Sequence, residues 1–302
     1  MSILAASAVL TLLAGAPGQQ PAPVPDIVVT GTREESARRY VDIMAEVNRP
    51  DEPLARFDRQ VCPGVVNMET HARAVIDRIA ATALLAGLTV GGPGCSPNIL
   101  VIFTADGDRA AADLRRLAPH VFDGVASTRR SGRTQLRRFL ESDAPVRWWQ
   151  STTEEPAIAS IELGTINRGV ADGPRPAYRA TGPVRTRPAS LLSSASRMEI
   201  GLAIVIVDMG RIDAVDVDGI ADYAALVALG QIDPEVQAEG LDTVMNLFAP
   251  AQHRVNRLSA FDRAYLRALY NSHGDAARAS QQKSEIAAAM IRDGYDEAAG
   301  DQ

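Results

Sequence analysis

The chain has a single lysine, Lys283, among its 31 basic residues, and only 5% of its 302 residues are aromatic. Its four histidines are scattered and its cysteines number two. Each shortage removes a class of chemistry. With one lysine, Ser280-Gln-Gln-Lys283 cannot belong to a penicillin-recognising enzyme, because the K-T-G element needs a second lysine. His71, His120, His253 and His273 form neither H-E-x-x-H nor any pair four residues apart, so no local zinc site arises from them. There is no G-x-S-x-G elbow and no G-x-x-x-x-G-K phosphate loop, and Gly91 to Gly94 reads as a turn. A formal charge of -6 and a pI near 5.3 argue against nucleic acid as the main partner, since phosphate binding needs excess cationic side chains. Beyond the N-terminus no run of about 18 uncharged apolar residues offers a spanning helix.

Ser2 to Ala16 is an uncharged apolar run of signal-peptide length, though no lysine or arginine precedes it, and Pro17 onward cannot continue a helix. Small residues at Ala16 and Gly18 suit a cut before Gln19, so residues 1–18 are predicted to be a signal peptide and 19–33 a Pro/Gln-rich linker. Asp26-Ile-Val-Val-Thr-Gly-Thr-Arg33 resembles a segment found near the mature N-terminus of many exported alphaproteobacterial proteins. No cysteine lies close enough for lipid attachment, which leaves a periplasmic or secreted protein as the expectation. In an oxidising compartment an even cysteine count favours a Cys62–Cys95 disulfide. The alternative, a reactive or metal-binding pair, lacks C-x-x-C spacing.

Apolar residues recur at helical spacing over Glu34 to Val47, with Ala37, Tyr40, Ile43 and Met44 on one face, and over Met68 to Ala86. Shorter helices are predicted at Asp108 to Leu117 and Thr134 to Leu140. Later ones fall at Asp218 to Gln231, Gln237 to Phe248, Ala260 to Tyr270 and Ala276 to Arg292. Asn98 to Thr104 and Ile200 to Val207 are apolar strands of the kind covered on both faces. Val146 to Gln150 is a third strand, with one tryptophan on each side. Strands among long helices predict an α/β (α+β) fold, helices packed on a small mixed β-sheet, in one domain over 34–293. An irregular Gly/Pro/Arg-rich excursion at 164–197 and a disordered tail at 294–302 complete the expectation.

Three groups of residues stand out as candidate sites. Asp213, Asp216 and Asp218 approach a calcium loop, but its register places alanines at ligand positions, and the plainer reading is an acidic helix start. Seven arginines lie between Arg115 and Arg138 against the single acid Asp123. Arg129, Arg130, Arg133 and Arg137 form a candidate anion patch for weak contact with an anionic envelope surface, against the plainer reading of a solvated basic face. A hydrolase site assembled from scattered residues would draw on Trp148, Trp149, Asp222 and Tyr223.

Ala203-Ile-Val-Ile-Val-Asp208, the helix ending Ala228-Leu-Gly230, Asp242-Thr-Val-Met-Asn-Leu-Phe248 and Leu258-Ser-Ala-Phe-Asp262-Arg-Ala-Tyr-Leu-Arg-Ala-Leu-Tyr270 together resemble a family of uncharacterised exported proteobacterial proteins with a zincin-like metallopeptidase core. The resemblance implies a metal-bearing helix before Gly230. Here that helix holds Asp222, Tyr223, Ala224 and Val227 without histidine, so the resemblance implies a degenerate, non-catalytic branch. No cofactor is expected, and the partner is an unidentified envelope ligand or protein. The L-[ST]-x-x-D string also has a plain local reading, with Ser259 capping a helix.

Overall fold

A computed structural model describes residues 33–46, 52–122, 130–156, 190, 193–194, 196–212 and 215–292. The predicted signal peptide, nearly all of the linker, most of the 164–197 excursion and the tail lie outside these residues, as does Arg129. The fold is α+β, seven helices packed on one mixed four-stranded sheet among the described residues. In chain order the elements are α1 (Arg33–Met44), β1 (Pro63–Val66), α2 (Ala72–Leu85), β2 (Ile99–Thr104), α3 (Gly107–Leu117) and α4 (Arg130–Glu141). Then follow β3 (Val146–Pro156), β4 (Ser196–Asp208), α5 (Val217–Leu229), α6 (Ala260–Asn271) and α7 (Ala279–Arg292). None of these helices is long and apolar enough to cross a membrane.

Strands run in the order β1-β2-β4-β3, with β1, β2 and β4 parallel and β3 antiparallel to β4. The β-branched run Ile204 to Val207 places β4 at the centre, Thr104 paired with Asp208 on one side and Val146 with Val207 on the other. Alternation then sorts side chains into two cores. Val101, Phe103, Val205, Val207 and Trp148 face α1, α2, α5, α6 and α7, whereas Ile204, Ile206 and Trp149 face α3 and α4. The predicted placement of one tryptophan on each side of the sheet holds. Val41 rather than Ile43 shares the buried face of α1 with Ala37, Tyr40 and Met44. From Gly219 to Leu229 every residue of α5 is buried, which suits its unbroken apolar sequence. Asp216 caps its start by accepting from the Gly219 amide at 2.7 Å and Asp218 lies in its first turn, so these two acids belong to a helix start, while Asp213 lies outside the described residues.

Several element boundaries differ from the sequence expectation for local reasons. Left-handed backbone at Asn67 and His71 delays α2 to Ala72. The helix expected over Gln237 to Phe248 is reduced to a 3₁₀ turn at Val244–Phe248. Its backbone is taken by side chains instead: Asn246 donates to the Ala238 and Leu241 carbonyls, and Asp262 accepts from the Val244 amide. Ser196 and Arg197, assigned to the excursion, already belong to β4, where they face Pro156 and Glu155. Cys62 and Cys95 are disulfide-bonded, tying the start of β1 to the loop before β2.

Candidate functional site

Ligands of open α/β sheets commonly sit at the carboxyl ends of parallel strands. Here that edge is closed by ion pairs. Asp208, the last residue of β4, accepts from the Gly107 amide at 2.9 Å and the Gly210 amide at 3.0 Å. Asp108 beside it takes Arg147 at 2.6 Å and Arg211 at 2.7 Å. The Arg147 hydrogen bond is the main cause holding the Asp108 carboxyl below the usual range.

Open space lies instead along β3, the antiparallel edge strand. A cleft of about 410 Å³ is walled by the last turn of α4, by β3 and by Pro234 and Glu235. Arg147 enters its floor, 3% exposed. Its Nη1 satisfies the Phe139 and Leu140 carbonyls at 3.2 and 3.3 Å, closing the C-terminus of α4, while its Nε has no partner. Arg138 is paired with Glu235 at 2.6 Å. Arg137, at the rim, is exposed and makes no ion pair or hydrogen bond among the described residues, and the same holds for Arg133 one turn earlier.

Behind the cleft is a recess of about 30 Å³, sharing Trp148 and Pro234 with it and lined further by Glu46, Gln135 and Thr152. Glu46 follows α1, its amide fixed to the Gln231 carbonyl at 2.9 Å and its carboxylate accepting from Gln135 of α4 at 2.5 Å. Burial pushes that carboxyl up to about 7, against the Gln135 bond. Thr152 is 3% exposed and its hydroxyl has no partner among the described residues. Gln150 is committed, its amide donating to the Val227, Ala228 and Gly230 carbonyls at the end of α5.

The four residues of the predicted hydrolase site do not share one opening. Trp148 lines the cleft and meets Tyr223 edge-on at 6.2 Å between centroids. Trp149 shares the wall of the recess with Trp148, but its ring belongs to the smaller core, where it packs against Phe122 at 5.3 Å and donates to the Val121 carbonyl. Asp222 is 2% exposed and held by Arg78 at 2.5 and 2.8 Å and by the Leu258 amide, next to a separate depression against α2. Burial raises the Tyr223 phenol. Of the anion patch, Arg130 is the first residue of α4, and Arg133 and Arg137 lie on its exposed face. No motif or spacing points to Glu46, Gln135 or Thr152: the last two lie on the consecutive elements α4 and β3, and Glu46 reaches them from the end of α1, 89 positions before Gln135.

Leu258 to Asp262 is a structural device. Ser259 and Asp262 form a capping box, and the buried Asp262 carboxylate also takes Thr243, the Val244 amide and Tyr40. Among the described residues no group of three or more His, Cys, Asp or Glu is placed to hold a metal ion. Compared with protein-family models, with curated proteins and with solved structures, the chain matches none.

Proposed function

We propose that the chain is an exported, non-catalytic binding module that seats a small anionic ligand in the cleft between α4, β3 and Pro234. The observation that carries this reading is the state of its arginines. Arg138 is neutralised by Glu235, whereas among the described residues Arg137 has no partner at the rim and the Nε of Arg147 has none in the floor. An unpaired guanidinium fork beside a concave wall carrying Trp148 is suited to a carboxylate or phosphate. The disulfide supports export, because such bonds persist outside reducing compartments. The spending of Asp222 on Arg78 supports the non-catalytic part: α5, the helix that the zincin resemblance would make the metal helix, uses its only carboxylate after Gly219 for an ion pair.

Calorimetric titration with inorganic phosphate at low ionic strength tests the reading. Binding weakened about tenfold or more by Arg137→Ala, and by added salt, is expected. Affinity unchanged in that variant removes the cleft from the account. The Glu46 carboxyl near 7 favours one second reading, a hydrolase using Glu46 as general acid–base. In that case Glu46→Gln abolishes turnover of phosphate and carboxylate esters while leaving anion binding intact.

A further inference from the structure

Resting on that binding reading, we propose that the recess behind Trp148 receives one hydroxyl of the ligand, which makes the ligand a polyhydroxylated acid, a sugar phosphate or a uronic acid. Three observations lead there. The first is size: about 30 Å³ admits one water-sized group and no ring, so whatever enters is the end of a ligand whose body stays in the cleft. The second is unused hydrogen-bonding capacity. Most polar groups of the recess are spent, Gln150 on the end of α5 and Gln231 on the Ala55 amide. Among the described residues the Thr152 hydroxyl alone of these is buried without a partner, and Glu46 has one carboxylate oxygen without a hydrogen bond beyond that held by Gln135. A hydroxyl donates to one and accepts from the other. The third is continuity, since Trp148 and Pro234 belong to both walls. A ring lying on the indole carries an anionic group toward Arg137 and a hydroxyl inward. A second anion in the recess would meet the Glu46 carboxyl, and a cation would have to be desolvated there, so a neutral polar group fits best.

The test compares inorganic phosphate, glucose 6-phosphate, glucuronate and glucosamine 6-phosphate by calorimetry on the full chain, for the parent, Thr152→Val and Thr152→Ser. Glucose 6-phosphate or glucuronate is expected to bind about tenfold more tightly than inorganic phosphate. Thr152→Val, nearly isosteric, removes that gain and leaves phosphate affinity unchanged, while Thr152→Ser keeps it. Whichever of the two hydroxylated acids shows the gain identifies the anionic group. Phosphate binding that depends on Arg137, with no gain from the sugar or a gain that survives Thr152→Val, overturns the hydroxyl site and spares the anion site. Tighter binding of the amino sugar overturns it in favour of an ammonium. Failure of every probe to bind sinks both readings together.

Discussion

The Tyr40 hydroxyl and the Asp262 carboxylate, 222 positions apart, meet in a buried hydrogen bond beside the larger core. The same carboxylate takes the Thr243 hydroxyl at 2.6 Å and the Val244 and Ser259 amides at 2.8 and 2.9 Å. One side chain therefore joins α1, the 3₁₀ turn and the start of α6. Burial pushes its carboxyl upward and these donors oppose that shift.

Removing the carboxylate would leave four buried donors without an acceptor. Asp262→Ala is expected to destabilise the chain by about 3 to 5 kcal/mol, and Tyr40→Phe by about 1 to 2 kcal/mol. Urea denaturation followed by circular dichroism checks both. A midpoint for Asp262→Ala close to that of the parent would contradict the role given to this residue.

Glu46 sets a pH dependence of stability. Its folded carboxyl titrates at about 7, against 4.5 for the exposed group, so the folded chain binds the proton more tightly than the unfolded chain. Its contribution is complete below about pH 4.5 and is lost as pH rises through 7, on the order of 3 kcal/mol at most. Glu46→Gln cannot titrate, so the parent should lose stability relative to this variant between pH 5 and pH 8. Parallel curves for the two proteins over that range would show that the group is not buried as described.

The elements were legible wherever the apolar period was long, as in β2, β4, α5 and α6. The period misled at Gln237 to Phe248, because it cannot register that Asn246 and Asp262 compete for the same backbone. Counting arginines overstated the free charge of the basic stretch: Arg116 is paired with Asp113, Arg138 with Glu235, and Arg115 lies over Phe122. Only the packing of α4 on the sheet separates these from Arg133 and Arg137. The recess was illegible for a related reason, since no spacing rule links the end of α1, the middle of α4 and the irregular register of β3 at Ser151 and Thr152.

The disulfide holds a short edge strand. β1 has four residues, and beside the bridge the Asn98 side chain takes the Cys62 amide at 2.7 Å. Closing a loop of 33 residues is worth about 3 to 4 kcal/mol by chain entropy. A Cys62→Ser/Cys95→Ser variant should lose about that much, with amide exchange accelerating first in β1. Faster exchange appearing first in α5 or α6 would mean that the bridge supports the core rather than the edge.

The two tryptophans offer a direct readout of the cleft, because they sit on opposite sides of the sheet with different neighbours. Trp149 is enclosed by Phe122 and Phe139 and bonded through its indole nitrogen, whereas Trp148 forms part of the cleft wall that also carries Arg137. Iodide, an anionic quencher, is drawn toward an unpaired guanidinium and reaches only the indole beside it. Quenching by iodide should therefore persist in Trp149→Phe, vanish in Trp148→Phe, and fall in Arg137→Ala and when phosphate is added. Equal quenching of the two single-tryptophan variants would mean that the cleft is not open to anions, and the binding reading would fall with it.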